Sequence, residues 1–317
     1  MAAYQAERFI EMAIASVAEQ SFPSRELIVV DDGSTDATPA RLESCRALLD
    51  RAGVPFTIVT QDNAGLAAAR NAAIDRAVGR YVAFLDADDI WHPRLLEALV
   101  SELDAKPGAC LAFPLYAYVQ HAGEDLGVQS PVPGAPITLG SLLVDNPIRS
   151  DSGVVIRASA LETIGGFDRG LSGYVGLDYW MRAASAGLGA LVCVPRCLVR
   201  YRRHDDQITA DWRRMQTNWA ALLDKARQIE PDTVAASEHE MWAAQFVYWS
   251  SLAYDSGDYP SARALILRAW RSAPRAVLSN HIGPVRTLSC LASLLPVRLH
   301  HAIRDTVRRR GSPTGSG

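Results

Sequence analysis

Apolar and polar positions along this chain alternate between two periods, and that alternation lays out its elements. Phe9, Ile10, Ile14 and Val17 recur at helical spacing within residues 5 to 20. Leu27-Ile28-Val29-Val30 is an unbroken apolar run, mostly β-branched, which predicts a strand covered on both faces. It stops at Asp31-Asp32-Gly33-Ser34, which is turn chemistry. A helix around residues 38 to 50, a strand at Phe56 to Val59, an alanine-rich helix from Asn63 to Val78 and a strand from Tyr81 to Leu85 follow. Such alternation implies a parallel sheet with crossover helices. Pro93 to Leu103 reads as a further helix with proline in its first turn.

Between residues 106 and 147 the pattern breaks into proline and glycine punctuation, as in Ser130-Pro131-Val132-Pro133-Gly134, and predicts a loop. Regular elements resume with a strand at Gly153 to Arg157, a short helix from Leu161 to Gly165, a helix from Tyr179 to Ala186 and a strand from Ala190 to Val194. After residue 211 the chain reads as helical throughout. Trp242 to Pro274 looks like one tetratricopeptide-type hairpin, and a solitary unit of that kind needs another surface to bury its face. The expected division is therefore 1–210 for the α/β domain and 211–317 for a helical extension with a basic, amphipathic end.

The two best-defined strands deliver acid to one place. The Leu27 strand ends in Asp31 and Asp32, and the Tyr81 strand ends in Asp86, Asp88 and Asp89. Ligands of open α/β sheets sit just past such strand ends. Three carboxylates within four residues repel one another unless a cation or sugar hydroxyls occupy the gap, which reads as a divalent-metal and nucleotide site.

These segments occur in an order that resembles family 2 glycosyltransferases. Ala3-Tyr4 to Ile10, Gln20-Ser21-Phe22, Gln61 to Asn71, the Asp86 cluster with Ile90-Trp91-His92-Pro93, Gly165-Gly166-Phe167-Asp168 and Tyr201-Arg202-Arg203-His204 together span about residues 1 to 210. The resemblance implies the GT-A fold: Rossmann-like, mainly a parallel sheet sandwiched by helices. It also implies an inverting enzyme that moves a sugar from a nucleotide-diphosphate donor to a hydroxyl of a glycan or lipid-linked acceptor, in cell-surface polysaccharide assembly. The loop between residues 106 and 147 would then lie on the acceptor side.

By the same resemblance, Tyr4, Asp31, Asp32, Arg70 and Asp86 bind the nucleotide sugar, and Asp88, Asp89 and His204 hold Mn²⁺ or Mg²⁺. Asp31 has the alternative of closing the turn with Ser34. Arg70 either offsets diphosphate charge or buttresses Asp86. Inversion also needs a base for the acceptor proton, and here the sequence departs from its relatives: the family's Glu-Asp pair falls on Val175 and Gly176. Asp178 is the nearest replacement, reaching the site if that segment is extended and turned away from it if helical. A second departure lies at the start, where only Met1 and Ala2 stand in place of a central apolar strand. The resemblance thus implies a shortened first strand and a truncated or mis-started chain, forfeiting about 6–12 kcal/mol for four buried side chains. A catalytically impaired, nucleotide-sugar-binding or scaffolding homologue is the rival reading. A nucleotidylyltransferase would need a glycine-rich phosphate loop near the start, and none is there.

Composition adds limits. The net charge is −3 over 317 residues, yet from residue 260 onward ten arginines face Asp305 alone. The basic end pairs Leu288, Leu291, Leu295 and Leu299 with Arg286, Arg298, Arg304 and Arg308, as a docked helix or as an attachment to an anionic membrane surface. Nucleic acid is the weaker partner, because that end lacks interleaved aromatics. Five cysteines form no zinc pattern or disulfide framework, and with no apolar span of membrane length the expected location is cytoplasmic, with peripheral attachment to the inner face of the plasma membrane as the alternative.

Overall fold

The computed structural model describes residues 1–279 except 135, 205 and 206. Its first half runs β1 (Ala2–Ala3), α1 (Ile10–Ala18), β2 (Leu27–Asp31), α2 (Thr38–Ser44), α3 (Arg46–Arg51), β3 (Phe56–Thr60), α4 (Leu66–Ile74), β4 (Tyr81–Ala83), β5 (Ile90–Trp91) and α5 (Leu95–Ala105). There follow β6 (Ala109–Val119), β7 (Asp125–Gln129), α6 (Leu139–Val144), β8 (Val155–Arg157), α7 (Ala158–Ile164), α8 (Val175–Ser185) and β9 (Ala190–Arg202). Four helices close the described chain: α9 (Trp212–Ile229), α10 (Pro231–Asp255), α11 (Tyr259–Ser272) and α12 (Pro274–Ser279).

β1, β2 and β3 form a parallel sheet in that order, as the apolar runs and crossover helices predict. A second sheet has the order β4-β8-β6-β9-β5, with β7 on β6. A parallel bridge between Ala2 and Asp86 joins the two, so β1 lies between β2 and the continuation of β4. The fold is α/β with a helical C-terminal region.

The region read as a loop in the sequence contains a principal strand, β6, buried along most of its length. Pro114 interrupts its apolar run and argues against a central strand. The ladder with β9 shifts register between Phe113 and Leu115, opposite Cys193 and Cys197, and this irregularity absorbs both Pro114 and Pro195. β9 accordingly runs eight residues beyond the predicted Val194, to Arg202. The predicted helix over 38–50 is two helices, α2 and α3, meeting at Cys45.

Trp180 of α8, Trp219 of α9 and Trp249 of α10 are fully buried in one hydrophobic cluster, so the C-terminal helices share a core with the α/β part. The hairpin of α10 and α11 buries its face there rather than against further repeats. No helix among the described residues is long and apolar enough to cross a membrane. The arginine-rich segment from Arg286 lies outside the described residues.

β1 is two residues long, as the resemblance implied, and a cavity of about 700 Å³ continues its line between Leu27-Ile28 of β2 and Tyr81-Val82-Ala83 of β4. Ile74 of α4 lines one side of it and Val100 of α5 another. The Met1 ammonium donates to the Ile28 carbonyl at 2.8 Å. Burial, with the Arg70 charge adding and the Asp86 charge opposing, lowers this amine from 8.0 to about 5. The unfolded chain therefore binds a proton near pH 8 that the folded chain refuses until about pH 5, so stability falls as pH drops through that window. That lowering corresponds to about 4 kcal/mol.

Four Val/Ile-rich residues fused ahead of Met1 are expected to fill the cavity and move the charge out of it. After the ordering entropy is offset, the net gain is a few kcal/mol, or about 5–10 °C in Tm. The stability loss between pH 8 and 5 should flatten in the same protein. Thermal unfolding followed at both pH values checks this, and an unchanged Tm with unchanged pH dependence counts against a strand-shaped cavity.

Candidate functional site

The register of β1 places the two acidic strand ends side by side. Ala3 pairs with Asp31 on one side and Ala2 bridges to Asp86 on the other. Two strand spacings put these acidic ends about 10 Å apart. Both lie at the carboxyl edge of parallel strands, where open α/β sheets hold ligands.

Asp31 and Asp32 are nearly inaccessible and shape the edge from below. Asp31 accepts from the Ser34 N–H at 3.1 Å, which is the turn closure that the sequence left open as an alternative. Asp32 accepts from Gln61 Nε2 at 2.7 Å and from the N–H groups of Ala64 and Gly65 at 2.9 and 2.8 Å. Its carboxylate thus holds the loop that opens α4 rather than standing free for a base or ribose. The loop after β1 is tied to the loop after β2 through Gln5, whose side-chain oxygen accepts from the Thr35 N–H at 2.8 Å. Tyr4, 55% exposed, stands next to this zipped pair of loops.

Arg70, on α4 and 4% exposed, organises the centre of the site. One arm of its guanidinium donates to Asp86 Oδ1 at 2.7 Å and the other pairs with Asp151 Oδ2. The Phe167 ring lies 5.3 Å from the guanidinium carbon. Burial by itself would lower this guanidinium, but the charges of Asp151 and Asp86 raise it above its ordinary value. The buttress alternative therefore describes Arg70. Burial also raises the Asp86 carboxyl; Arg70 opposes that shift, while Asp151 and Asp88 reinforce it.

Sequence reading missed the loop before β8. Ser150 donates to Asp86 at 3.3 Å and to Asp89 at 3.4 Å, and Ser152 accepts from the Asp86 N–H at 3.3 Å. Tyr116 of β6 fixes the loop by donating to the Ser150 carbonyl at 2.7 Å. The available signal was an acid flanked by serines directly ahead of an apolar strand.

Asp88 and His204 meet at the site, Oδ2 to Nε2 at 2.9 Å, with 26% and 11% of their side chains exposed. His204 packs on Phe9, ring centroids 5.0 Å apart, and its Nδ1 is buried without a partner among the described residues. Asp89 does not join them. It has no exposed surface, one oxygen accepts the Arg202 N–H at 2.9 Å and the other faces Ser150. Burial first, then the charges of Asp88 and Asp86, push its carboxyl well above the usual range. Asp89, expected as a metal ligand, joins the acidic turn to β9 and leaves no oxygen exposed.

Among the described residues no group of three or more His, Cys, Asp and Glu side chains converges on a metal-sized space. One carboxylate and one imidazole nonetheless suit Mn²⁺ or Mg²⁺ when phosphate oxygens supply the remaining ligands.

Asp178 stands apart from the acidic edge. α8 is already helical at Val175, which turns Asp178 away from the acidic edge. Its carboxylate has no exposed surface and accepts from Arg182 at 3.0 Å and Lys225 Nζ at 2.5 Å. Lys225 also reaches Asp168 at 2.5 Å, so this network ties α8 to α9. The Asp178 carboxylate therefore presents no exposed oxygen at the acidic edge.

The sequence profile described as "Glycosyl transferase family 2" matches residues 1–165. TuaG of Bacillus subtilis strain 168, named for teichuronic acid biosynthesis, is 39% identical over 123 residues, 39% of this chain and 47% of TuaG. The Escherichia coli UDP-Glc:alpha-D-GlcNAc-diphosphoundecaprenol beta-1,3-glucosyltransferase WfgD is 39% identical over 102 residues, covering 32% of this chain and 38% of WfgD. The match thus spans less than half the length of either relative. Among solved structures, the mannosyltransferase PcManGT of Pyrobaculum calidifontis, in complex with GDP-Man and Mn²⁺, has a TM-score of 0.57 at 19% identity, covering 92% of this chain and 77% of that one. S. aureus TarS 1-349 with UDP-GlcNAc has a TM-score of 0.56 at 17% identity, covering 85% and 88%. These neighbours share the GT-A architecture. With the profile covering half of its length and the acidic strand ends meeting at one sheet edge, this chain belongs to glycosyltransferase family 2.

Proposed function

We propose that this chain is a metal-dependent, inverting glycosyltransferase that moves a sugar from a nucleotide-diphosphate donor to a hydroxyl of a glycan or lipid-linked acceptor in cell-surface polysaccharide assembly. The observation that carries the reading is the carboxyl edge of the sheet, where Asp88 meets His204 at 2.9 Å beside the Asp86 strand end, with β1 between them and the Asp31-Asp32 turn. Family membership, the teichuronic acid biosynthesis in TuaG's name and the diphosphoundecaprenol-linked acceptor in WfgD's support the class of product.

Asp88 and His204 are the residues that would hold the cation, which neutralises charge on the departing diphosphate. Asp86, fixed by Arg70 and Ser150, presents an acceptor oxygen to a ribose hydroxyl. Asp32 acts indirectly by holding the 61–65 loop against which a base can lie. Tyr4 contributes an exposed ring at the same edge. The arginine-rich sequence beyond residue 286 supports an anionic membrane surface as a further partner, consistent with a lipid-linked acceptor. The rival reading, a donor-binding protein without turnover, is favoured by the sealed carboxylate of Asp178.

With two accessible protein ligands, the cation and the nucleotide should bind together. Mn²⁺ alone is expected to leave Tm almost unchanged. Mn²⁺ with the correct nucleotide sugar, at a hundredfold excess over Kd, should add about 3 kcal/mol of stability. Asp88→Asn should remove this synergy and reduce transfer by about 10²-fold or more while the protein stays folded. A thermal-shift series with UDP- and GDP-sugars, followed by assay of nucleoside diphosphate release, reads both; equal shifts with and without metal contradict the reading.

Asp178→Asn is expected to behave as a stability variant. Breaking its buried pairing with Lys225 and Arg182 should cost about 2–4 kcal/mol, with kcat within about threefold of the parent at temperatures where the fold holds. Urea unfolding together with initial rates separates that outcome from loss of a reacting group.

A further inference from the structure

Transfer to a hydroxyl leaves a proton to be placed, and the acidic edge has few groups free to take it. Asp86 is committed to Arg70 and Ser150, Asp88 to His204, and Asp89 and Asp178 have no exposed surface. Asp86 and Asp88 keep 29% and 26% of their side chains exposed but are taken up by the donor and the cation in the reading above. Asp151 has no such assignment, and it keeps 17% of its side chain exposed while sharing Arg70 with Asp86. Its Oδ2 pairs with Arg70 and its Oδ1 accepts from Trp180 Nε1 at 2.9 Å. Each carboxylate oxygen has two acceptor positions, so one on each remains for an incoming O–H.

The room for this carboxylate is made by a glycine on another element. A Cβ built on Gly176, in the first turn of α8, would stand 1.7 Å from Asp151 Oδ1 and 2.2 Å from its Cγ. The Asp151 carboxylate therefore fills the volume that any side chain at position 176 would enter. It also lies against the first turn of an 11-residue helix, whose amide end attracts an anion. Gly176 was read in the sequence as a lost carboxylate, and the structure finds a carboxylate at that spot, supplied by the loop before β8.

We propose that Asp151 is the general base of the transfer, a role that rests on the glycosyltransferase reading above. The acceptor hydroxyl oxygen bonds to the anomeric carbon as its proton passes to an Asp151 oxygen. The bond from the anomeric carbon to the diphosphate oxygen breaks, and its electron pair leaves with the nucleoside diphosphate. The proton returns to water once the products depart. Arg70 and Trp180 hold the carboxylate in place, and Gly176 keeps its space open.

The test uses the full chain with Mn²⁺ and UDP-glucose, UDP-N-acetylglucosamine or GDP-mannose, water serving as acceptor, and reads nucleoside diphosphate release and the donor-induced thermal shift. Asp151→Asn is expected to lower kcat about 10³-fold with donor KM and thermal shift unchanged. The relocated pair Asp151→Gly/Gly176→Asp should recover at least about tenfold over Asp151→Gly alone. As a readout independent of turnover, Gly176→Ala and Asp151→Gly should each lower Tm, and the double variant should lose clearly less than the sum of the two single losses, because the clash at position 176 disappears with the carboxylate. A folded Asp151→Asn protein releasing product within about tenfold of the parent overturns the base assignment and leaves the donor reading standing. A parent that binds none of the donors overturns the glycosyltransferase reading, and the base assignment falls with it.

Discussion

A single buried guanidinium holds the site together. Arg70 lies beneath the sheet edge with almost no exposure and pairs with two carboxylates that arrive from different elements, Asp86 at the end of the β4 segment and Asp151 ahead of β8. A buried cation is tolerated only when its partners are in place, and two buried acids near each other are tolerated only when a cation lies between them. The three groups therefore fix one another, and the acidic edge comes preassembled rather than waiting for ligand.

That clamp depends on a very short strand. β1 contributes two residues, yet their pairing with β2 and Asp86 sets the level at which both acidic turns leave the sheet. The large cavity in line with β1 and the depressed amine of Met1 lie at the same place in the core. The ligand edge and the cavity are adjacent because both border the two residues of β1.

The strand ends were legible in the sequence because a continuous apolar run followed by acid and turn residues has few other readings. The facing of each carboxylate was not. Asp88 and Asp89 are neighbours in sequence, and only the return of β9 to Arg202 decides that Asp89 is sealed while Asp88 meets His204. Asp178 hinged on where α8 begins, a boundary that periodicity leaves uncertain by a turn. β6 was hidden by Pro114, which local rules treat as a strand breaker and the bulge against β9 accommodates. Asp151 carried only the faint signal of an acid flanked by serines ahead of a strand, since its meaning arises from contact with Gly176 across 25 residues of chain.

The most direct measurement is a crystal structure of the full chain with Mn²⁺ and the nucleotide sugar that stabilises it most. The account requires the diphosphate beside Asp88 and His204, with Arg70 still bridging Asp86 and Asp151. A nucleotide bound away from this edge, or an Arg70 that releases both carboxylates to bind phosphate itself, would contradict it.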